Sequence, residues 1–129
     1  MTETEIAPRL VKHLNPDVLE QHGGKYTCPP KHRVRRPGYF IILSVSAQVA
    51  RLLPVGSQPG IDRVLLRPSD RAGDAQWKLP DAYWHPGQVW TASLTAVVAA
   101  AKAGNDDGIR RGITADALRA IEEILKRAA

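Results

Sequence analysis

The sequence predicts an α+β fold that is mostly β, a small curled antiparallel sheet or barrel with one amphipathic helix at the C-terminus. Three strand-like runs follow one another between residues 38 and 67 with short connections. The segment 114–128 instead spaces its apolar residues as a helix does. The chain has 129 residues, 43% of them hydrophobic, which suits one buried core. We therefore expect a single domain over 1–129.

The three strand-like runs are rich in β-branched and aromatic residues. "GYFIILSV" at 38–45 is typical of a strand buried on most sides, and "QVARLLPV" at 48–55 follows closely enough to predict a hairpin. Proline cannot donate to a sheet ladder, so Pro54 should lie at a strand end or an edge. The turn "GSQPG" at 56–60 leads into a third strand, "IDRVLLR", at 61–67.

A short helix is predicted over 16–22. Asn15 is a candidate N-cap, Pro16 suits the first helical position, and Gly23 follows the end. The preceding "RLVKHL" at 9–14 is too short to classify by periodicity. Residues 1–8 are expected to form a disordered tail.

The C-terminal helix is the clearest element. Thr114 can cap it, and Asp116 lies in the first turn, where negative charge meets the helix dipole. Its other face offers the favourable pairs Glu122–Lys126 and Glu123–Arg127. One stripe of apolar residues faces the sheet: Leu118, Ile121, Ile124, Leu125 and Ala128.

The region between the third strand and this helix is more irregular. Residues 68–88 predict a loop with a short strand near Trp77. "VWTASL" at 89–94 predicts a strand that leads into a small helix over 95–103, stopped by Gly104.

Positive charge is concentrated in one loop. Lys and Arg number 18 against 13 acidic residues, a formal charge of +5, which favours an anionic partner such as nucleic acid. The loop 24–37 holds five Lys or Arg residues, a histidine and no acid. It is either a solvated, mobile loop or a phosphate-binding one, and the single sign of charge favours binding. The predicted contacts to a phosphate backbone are Lys25, Lys31, Arg33 and Arg35.

Several classes of protein are not favoured. No run approaches the roughly 18 apolar residues of a membrane span, and the polar, acidic start is not typical of a secretory signal. The single cysteine, Cys28, cannot form an internal disulfide, which favours a reducing cytoplasm. There is no phosphate-cradling P-loop and no glycine fingerprint for a nucleotide, and no cofactor is expected.

The stretch "WKLPDAYWHPGQVW" holds three tryptophans. Bases stack on exposed aromatic rings, so Trp84 or Tyr83 is a candidate contact to a single-stranded nucleic acid. Trp77 and Trp90 are expected in the core. His85 could act as an acid or base, but a lone loop histidine carries no assignment.

Four residues raise the alternative of a zinc site: His13, His22, Cys28 and His32. Their spacing includes only one short ligand pair and no CxxC, so no metal is expected. The hypothesis of a thiol nucleophile at Cys28, beside His32, has even less support than the zinc site, because no third group orients the pair.

Several short strings occur in the order seen in the MazF/PemK family of toxin endoribonucleases. "HLNPDVLEQHGG" holds Leu-Asn-Pro, Glu-Gln and Gly-Gly, and Arg36-Pro37 then opens the apolar strand. "LLPVGSQ" is similar to the family's Pro-Ile-Thr-Ser, "VWTASLTAV" to its last strand, and "GIRRGITADALRAIEEIL" to its closing helix. The chain resembles this family over most of residues 9–127.

The resemblance implies a barrel like that of Src-homology-3 domains, formed by a homodimeric toxin that cleaves single-stranded RNA without metal. An acidic antitoxin would cover the basic cleft. Arg36 matches the catalytic arginine, whose planar fork suits phosphate and which would also serve as general acid. Ser57 would donate a hydrogen bond to the phosphate, although a serine in such a turn is more often only a turn residue.

The chain also departs from the family pattern. Residues 25–34, "KYTCPPKHRV", are an insertion, Gly56 takes the place of the catalytic threonine, and Ala92-Ser93 replace a common Asp-Gln. These losses support an alternative: an inactive module that binds nucleic acid or a protein through the loop 25–36. Under the resemblance "RLVKHL" is the first strand, which puts the helix over 16–22 in doubt.

Overall fold

The computed structural model describes residues 2–73, 77 and 81–128, which form nine strands, three α-helices and three short 3-10 turns. The strands are β1 Leu10–Leu14, β2 Lys25–Tyr26, β3 Gly38–Ser46, β4 Val49–Pro54, β5 Val64–Leu66, β6 Arg71–Gly73, β7 Ala82–Trp84, β8 Trp90–Ser93 and β9 Arg111–Ile113. The helices are α1 Pro16–Gln21, α2 Leu94–Ala103 and α3 Ala115–Ala128, and the 3-10 turns are Glu3–Glu5, Pro30–His32 and Pro68–Asp70.

Seven of these strands form one antiparallel sheet in the order β2-β8-β4-β3-β1-β9-β6, and β5 pairs with β7 in a second, two-stranded sheet. The prediction of an α+β fold that is mostly β is therefore confirmed. In the described residues the end strands β2 and β6 do not pair with each other, so the seven-stranded sheet is open and does not close into the barrel that the resemblance implies.

The predicted hairpin is confirmed as β3 and β4, which pair antiparallel from Phe40 opposite Pro54 to Ser46 opposite Val49. Pro54 ends β4, where its missing N–H costs no ladder bond. Ala47 and Gln48 make the turn, with φ of 51° and 65°. Two positive φ angles match the right-handed twist of the flanking strands.

The β3 strand is apolar on both faces because each face supports a separate core. Phe40 and Ile42 pack on the side of α1 and α2, whereas Tyr39, Ile41 and Leu43 pack on the side of α3 and the two-stranded sheet. This two-sided burial explains why the strand is a continuous apolar run instead of an alternating one.

The structure contains both strand β1, which the resemblance implies, and helix α1, which the capping pattern predicts. The β1 strand pairs with β3, with Leu14 opposite Gly38. The Asn15 side chain then accepts the N–H of Asp17 at 2.9 Å, as an N-cap does. The chain turns away past the helix at Gly23, whose φ is +90°.

The predictions for the C-terminal half also hold for α2 and α3. Ser93 caps α2, and the Thr114 hydroxyl accepts the N–H of Ala117 at 3.1 Å to cap α3. Ile121 and Leu125 are buried against the sheet. Glu122, expected to pair with Lys126, is instead 3.1 Å from Arg51 of β4, which ties the helix to the sheet.

Two expectations need correction. The N-terminal segment is not a loose tail, because Ile6 is only 5% exposed and packs in the core beside α2. The third strand is limited to β5 and belongs to the second sheet.

The insertion 25–34 is tied to the sheet through β2, which pairs with β8. The strand expected near Trp77 falls largely on 74–76 and 78–80, outside the described residues.

None of the helices within the described residues has the length and apolar character needed to cross a membrane.

Candidate functional site

A cleft of about 790 Å³ opens at one end of the large sheet. It forms where β1 ends, β3 begins and β4 ends, because antiparallel neighbours bring these three chain ends together. The N–H of Val55 donates to the carbonyl of Tyr39 at 2.9 Å and extends this pairing one step past β4. Side chains that are distant in sequence therefore share one wall.

The predicted catalytic pair, Arg36 and Ser57, lines this cleft. Arg36 lies just before β3 and Ser57 just after β4, and both residues are exposed. Arg36 forms no ion pair or hydrogen bond with any other described residue. Its five N–H donors are thus available to an anion in the cleft.

A second guanidinium, that of Arg111 at the start of β9, lines the same cleft and was not predicted. It is 5% exposed, lies 5.6 Å from the ring centre of Tyr39, and donates to both carboxylate oxygens of Asp107 at 2.8 and 3.0 Å. The hydrogen bonds that Arg111 donates to Asp107 raise the pKa of Arg111 above its ordinary value, against the opposing effect of burial. The pair anchors the loop before β9. Arg111 could not be predicted from the sequence, because a strand of three residues has no periodic signal.

His13 was predicted only as a zinc alternative, and it is a wall residue of the cleft. Its backbone N–H donates to Asp106 Oδ1 at 2.8 Å, and its ring Nδ1 is 2.6 Å from the carbonyl oxygen of Gly104. Its ring also meets that of Tyr39 edge-on, with centroids 5.3 Å apart. The loop after α2 therefore holds both the backbone and the ring of His13.

The basic loop divides into an anchoring residue and exposed residues. Arg33 is paired with Asp17 and with Glu20 of α1, the latter at 3.1 Å, and lies 5.8 Å from the ring centre of Trp90. Its side chain is 12% exposed, and the hydrogen bond that it donates to Asp17 raises the pKa of Arg33. These contacts do not fit the phosphate-binding role predicted for Arg33.

The other predicted phosphate contacts, Lys25, Lys31 and Arg35, are all exposed. Only Arg35 lies between two residues that line the cleft, Val34 and Arg36. Lys25 is in β2, opposite Thr91 of β8.

The stacking role predicted for Trp84 needs an exposed ring, and Trp84 is 1% exposed in the core below the two-stranded sheet. The prediction is corrected for that reason. Trp77 and Trp90 are buried, as expected. Tyr83 is half-buried, and its backbone exchanges two hydrogen bonds with Gly56, at 2.8 and 2.9 Å.

The positions at which the chain departs from the pattern that it resembles have structural roles here. Gly56 has no side chain to offer, and its backbone is held by the bridge to Tyr83. Ala92 is buried in the core, and Ser93 caps α2. Of the three, only Gly56 lines the cleft.

A second, smaller hollow of about 360 Å³ contains Cys28, His32, Arg63 and His85. Burial raises the pKa of the Cys28 thiol, which keeps it protonated and weakly nucleophilic at neutral pH. His85 Nδ1 accepts the N–H of Gly87 at 2.8 Å. Across the part of the chain that the structure describes, no three His, Cys, Asp or Glu side chains are grouped to hold a metal ion.

Comparisons of the chain with protein-family models, with curated proteins and with solved structures give no match. The class that the fold and site define is an α+β protein with an open antiparallel sheet and a cleft lined by two arginines. Its function is argued from that cleft.

Proposed function

We propose that the protein is an endoribonuclease of the MazF/PemK kind that cleaves single-stranded RNA without a metal ion. One observation supports this best. Arg36 and Ser57, the two residues that the resemblance implies for catalysis, flank different strands and line the same cleft. A cleft of about 790 Å³ has room for a nucleotide and its flanking phosphates.

The reaction would use the RNA's own 2′-hydroxyl. Its oxygen attacks the adjacent phosphorus, the O2′–P bond forms, the P–O5′ bond breaks, and the products are a 2′,3′-cyclic phosphate and a 5′-hydroxyl. The charged phosphorane between these states must be stabilised by donors that are already in position.

Arg36 is the guanidinium that meets this need. Arg111 directs two of its nitrogens at Asp107, so its charge is locally neutralised, whereas Arg36 has no such carboxylate partner among the described residues. Arg36 would grip the phosphate oxygens and pass a proton to the leaving 5′-oxygen. The transfer runs downhill because an alkoxide is a much stronger base than a neutral guanidine. Ser57 would add a neutral hydrogen bond to the same phosphate.

Arg35 and the other exposed cations of the loop would hold the substrate strand. Arg35 adjoins the cleft, and Lys31 and Lys25 continue the positive charge along the loop. Such contacts give affinity and salt dependence without reading sequence. The resemblance adds two further proposals, a homodimer and an acidic antitoxin that covers this surface.

Incubation of a long single-stranded RNA with the protein in excess EDTA tests the proposal. Wild type should give discrete fragments with 2′,3′-cyclic phosphate ends, and Arg36→Ala should give none above background. Arg119→Ala is the matched control, because it removes an exposed arginine of α3 that does not line the cleft. A substrate with 2′-deoxy sugars should stay intact. Uncut RNA with wild type would refute the ribonuclease.

Gly56 supports the second candidate, an inactive module that binds nucleic acid through the same cleft and loop. The position lines the cleft but provides no hydroxyl, and its backbone N–H is already used by Tyr83. This candidate predicts intact RNA in EDTA together with a salt-sensitive gel shift that Arg35→Ala weakens.

A further inference from the structure

His13 is held in the cleft wall more firmly than a solvated histidine would be. It lies in β1 opposite Tyr39, and its ring contacts the Tyr39 ring at 84° between planes. Two groups from the loop after α2, Gly104 and Asp106, bind its ring and its backbone. Three separate chain segments thus set one side-chain position.

The hydrogen bond to Gly104 decides which ring nitrogen carries the proton. A carbonyl oxygen can only accept, so Nδ1, 2.6 Å away, must be the donor. In the neutral ring Nε2 then has the free lone pair. No described residue donates to or accepts from Nε2. A histidine fixed in this way, at a cleft, is arranged to take a proton.

We propose that His13 is the general base of the cleft, which removes the proton from the attacking 2′-hydroxyl. This inference rests on the ribonuclease proposed above. Nε2 takes the proton as the O2′–P bond forms, and Arg36 gives a proton to the departing 5′-oxygen. The imidazolium returns its proton to Arg36 through water in the cleft after the product leaves. The cycle therefore balances without a co-reactant.

The surroundings of the ring suit this role. When Nε2 gains the proton, the Gly104 carbonyl remains a partner for Nδ1–H, and the carboxylate of Asp106 lies at the backbone of the same residue. Tyr39 packs against the ring edge-on and limits its rotation. The ring needs no reorganisation between its neutral and charged forms, which is the condition for efficient proton transfer.

Two substitutions of His13 separate catalysis from folding. His13→Ala removes the whole ring, whereas His13→Asn retains an amide N–H near the position of Nδ1 for Gly104 but has no group at Nε2. Both should lower kcat/KM for RNA cleavage by about 10²- to 10⁴-fold, the usual contribution of a positioned base. The Asn variant should still unfold cooperatively close to wild type. Added imidazole should restore part of the activity of His13→Ala.

His22→Ala is the matched control, because His22 is an exposed histidine at the end of α1 and does not line the cleft. It should cleave like wild type. If wild type cleaves and a folded His13→Asn cleaves at the same rate, His13 is only structural and the inference fails alone. If wild type does not cleave RNA at all, the ribonuclease and the base fail together.

Discussion

The carbonyl oxygen of Gly104 accepts a hydrogen bond from His13 Nδ1 at 2.6 Å and joins the end of α2 to the end of β1. The backbone at Gly104 also lies close to the backbone at the end of β1. A Cβ placed on Gly104 would lie 2.7 Å from the His13 carbonyl oxygen and 2.9 Å from the Asn15 nitrogen. This wall of the cleft therefore depends on a residue without a side chain.

Gly104→Ala should lower the free energy of unfolding by about 1–3 kcal/mol, because the added methyl would meet rigid backbone atoms of residues 13–15. Denaturant titration measures the change. Gly38→Ala is the control, since its Cβ would meet nothing closer than 3.9 Å, and it should change stability by less than about 1 kcal/mol. Equal stability of the two variants would contradict the close approach.

Trp84 is expected to matter for stability and not for RNA binding. Trp84→Ala should cost about 3–5 kcal/mol, because the ring is 1% exposed and its removal leaves a large cavity. The milder Trp84→Phe should remain folded and bind a single-stranded RNA as wild type does, measured by fluorescence anisotropy. Weaker RNA binding by folded Trp84→Phe would contradict this prediction and support a contact between Trp84 and RNA.

Arg33 and Arg35 should have opposite phenotypes although they are two residues apart. Arg33→Ala removes ion pairs to Asp17 and Glu20 and should lower the free energy of unfolding by about 1–3 kcal/mol. Arg35→Ala should leave stability within about 0.5 kcal/mol but reduce the salt dependence of RNA binding by about one unit of slope.

Chemical denaturation and RNA titrations at several salt concentrations, carried out on both variants, test this division. A stable Arg33→Ala protein with weakened RNA affinity would show that Arg33 contacts phosphate after all.

Cys28 should react slowly with iodoacetamide at neutral pH. Burial raises the pKa of its thiol, so less thiolate is present at a given pH than in the unfolded chain. The pH midpoint of alkylation in the folded protein should lie above that in denaturant. For the same reason the thiol's contribution to stability is complete below the unfolded pKa and is lost as the pH rises through the folded one. A folded midpoint at or below the denatured one would contradict this.

Ser57→Ala should reduce kcat of RNA cleavage by about 10-fold with little change in KM, since one neutral hydrogen bond to the phosphorane is worth about 1–1.5 kcal/mol. Single-turnover cleavage in EDTA measures the effect. Ser69→Ala, in the exposed turn Pro68–Asp70, is the matched control and should cleave normally. An unchanged kcat for Ser57→Ala would leave Ser57 as a turn residue.

Local signals in the sequence predicted the elements that depend mainly on their own residues. The hairpin of β3 and β4, the caps at Asn15 and Thr114, and the stop at Gly104 all follow from propensity, turn chemistry and periodicity. The resemblance in the order of short strings also pointed to Arg36 and Ser57, which line one cleft. Their catalytic role stays a prediction. These features need no knowledge of distant contacts.

Only the tertiary structure decided the roles of residues whose partners are far away in sequence. Strand β9 is three residues long and exists because it pairs with β1 and β6, so neither it nor Arg111 has a periodic signal. Arg33 and Arg35 are equivalent in sequence, but α1 supplies carboxylates to one of them. No neighbour in the sequence distinguishes His13. It is oriented by the loop after α2, which is distant in sequence but contacts it in the fold. Burial and pairing across the sheet are properties of the packed chain, which the local pattern does not contain.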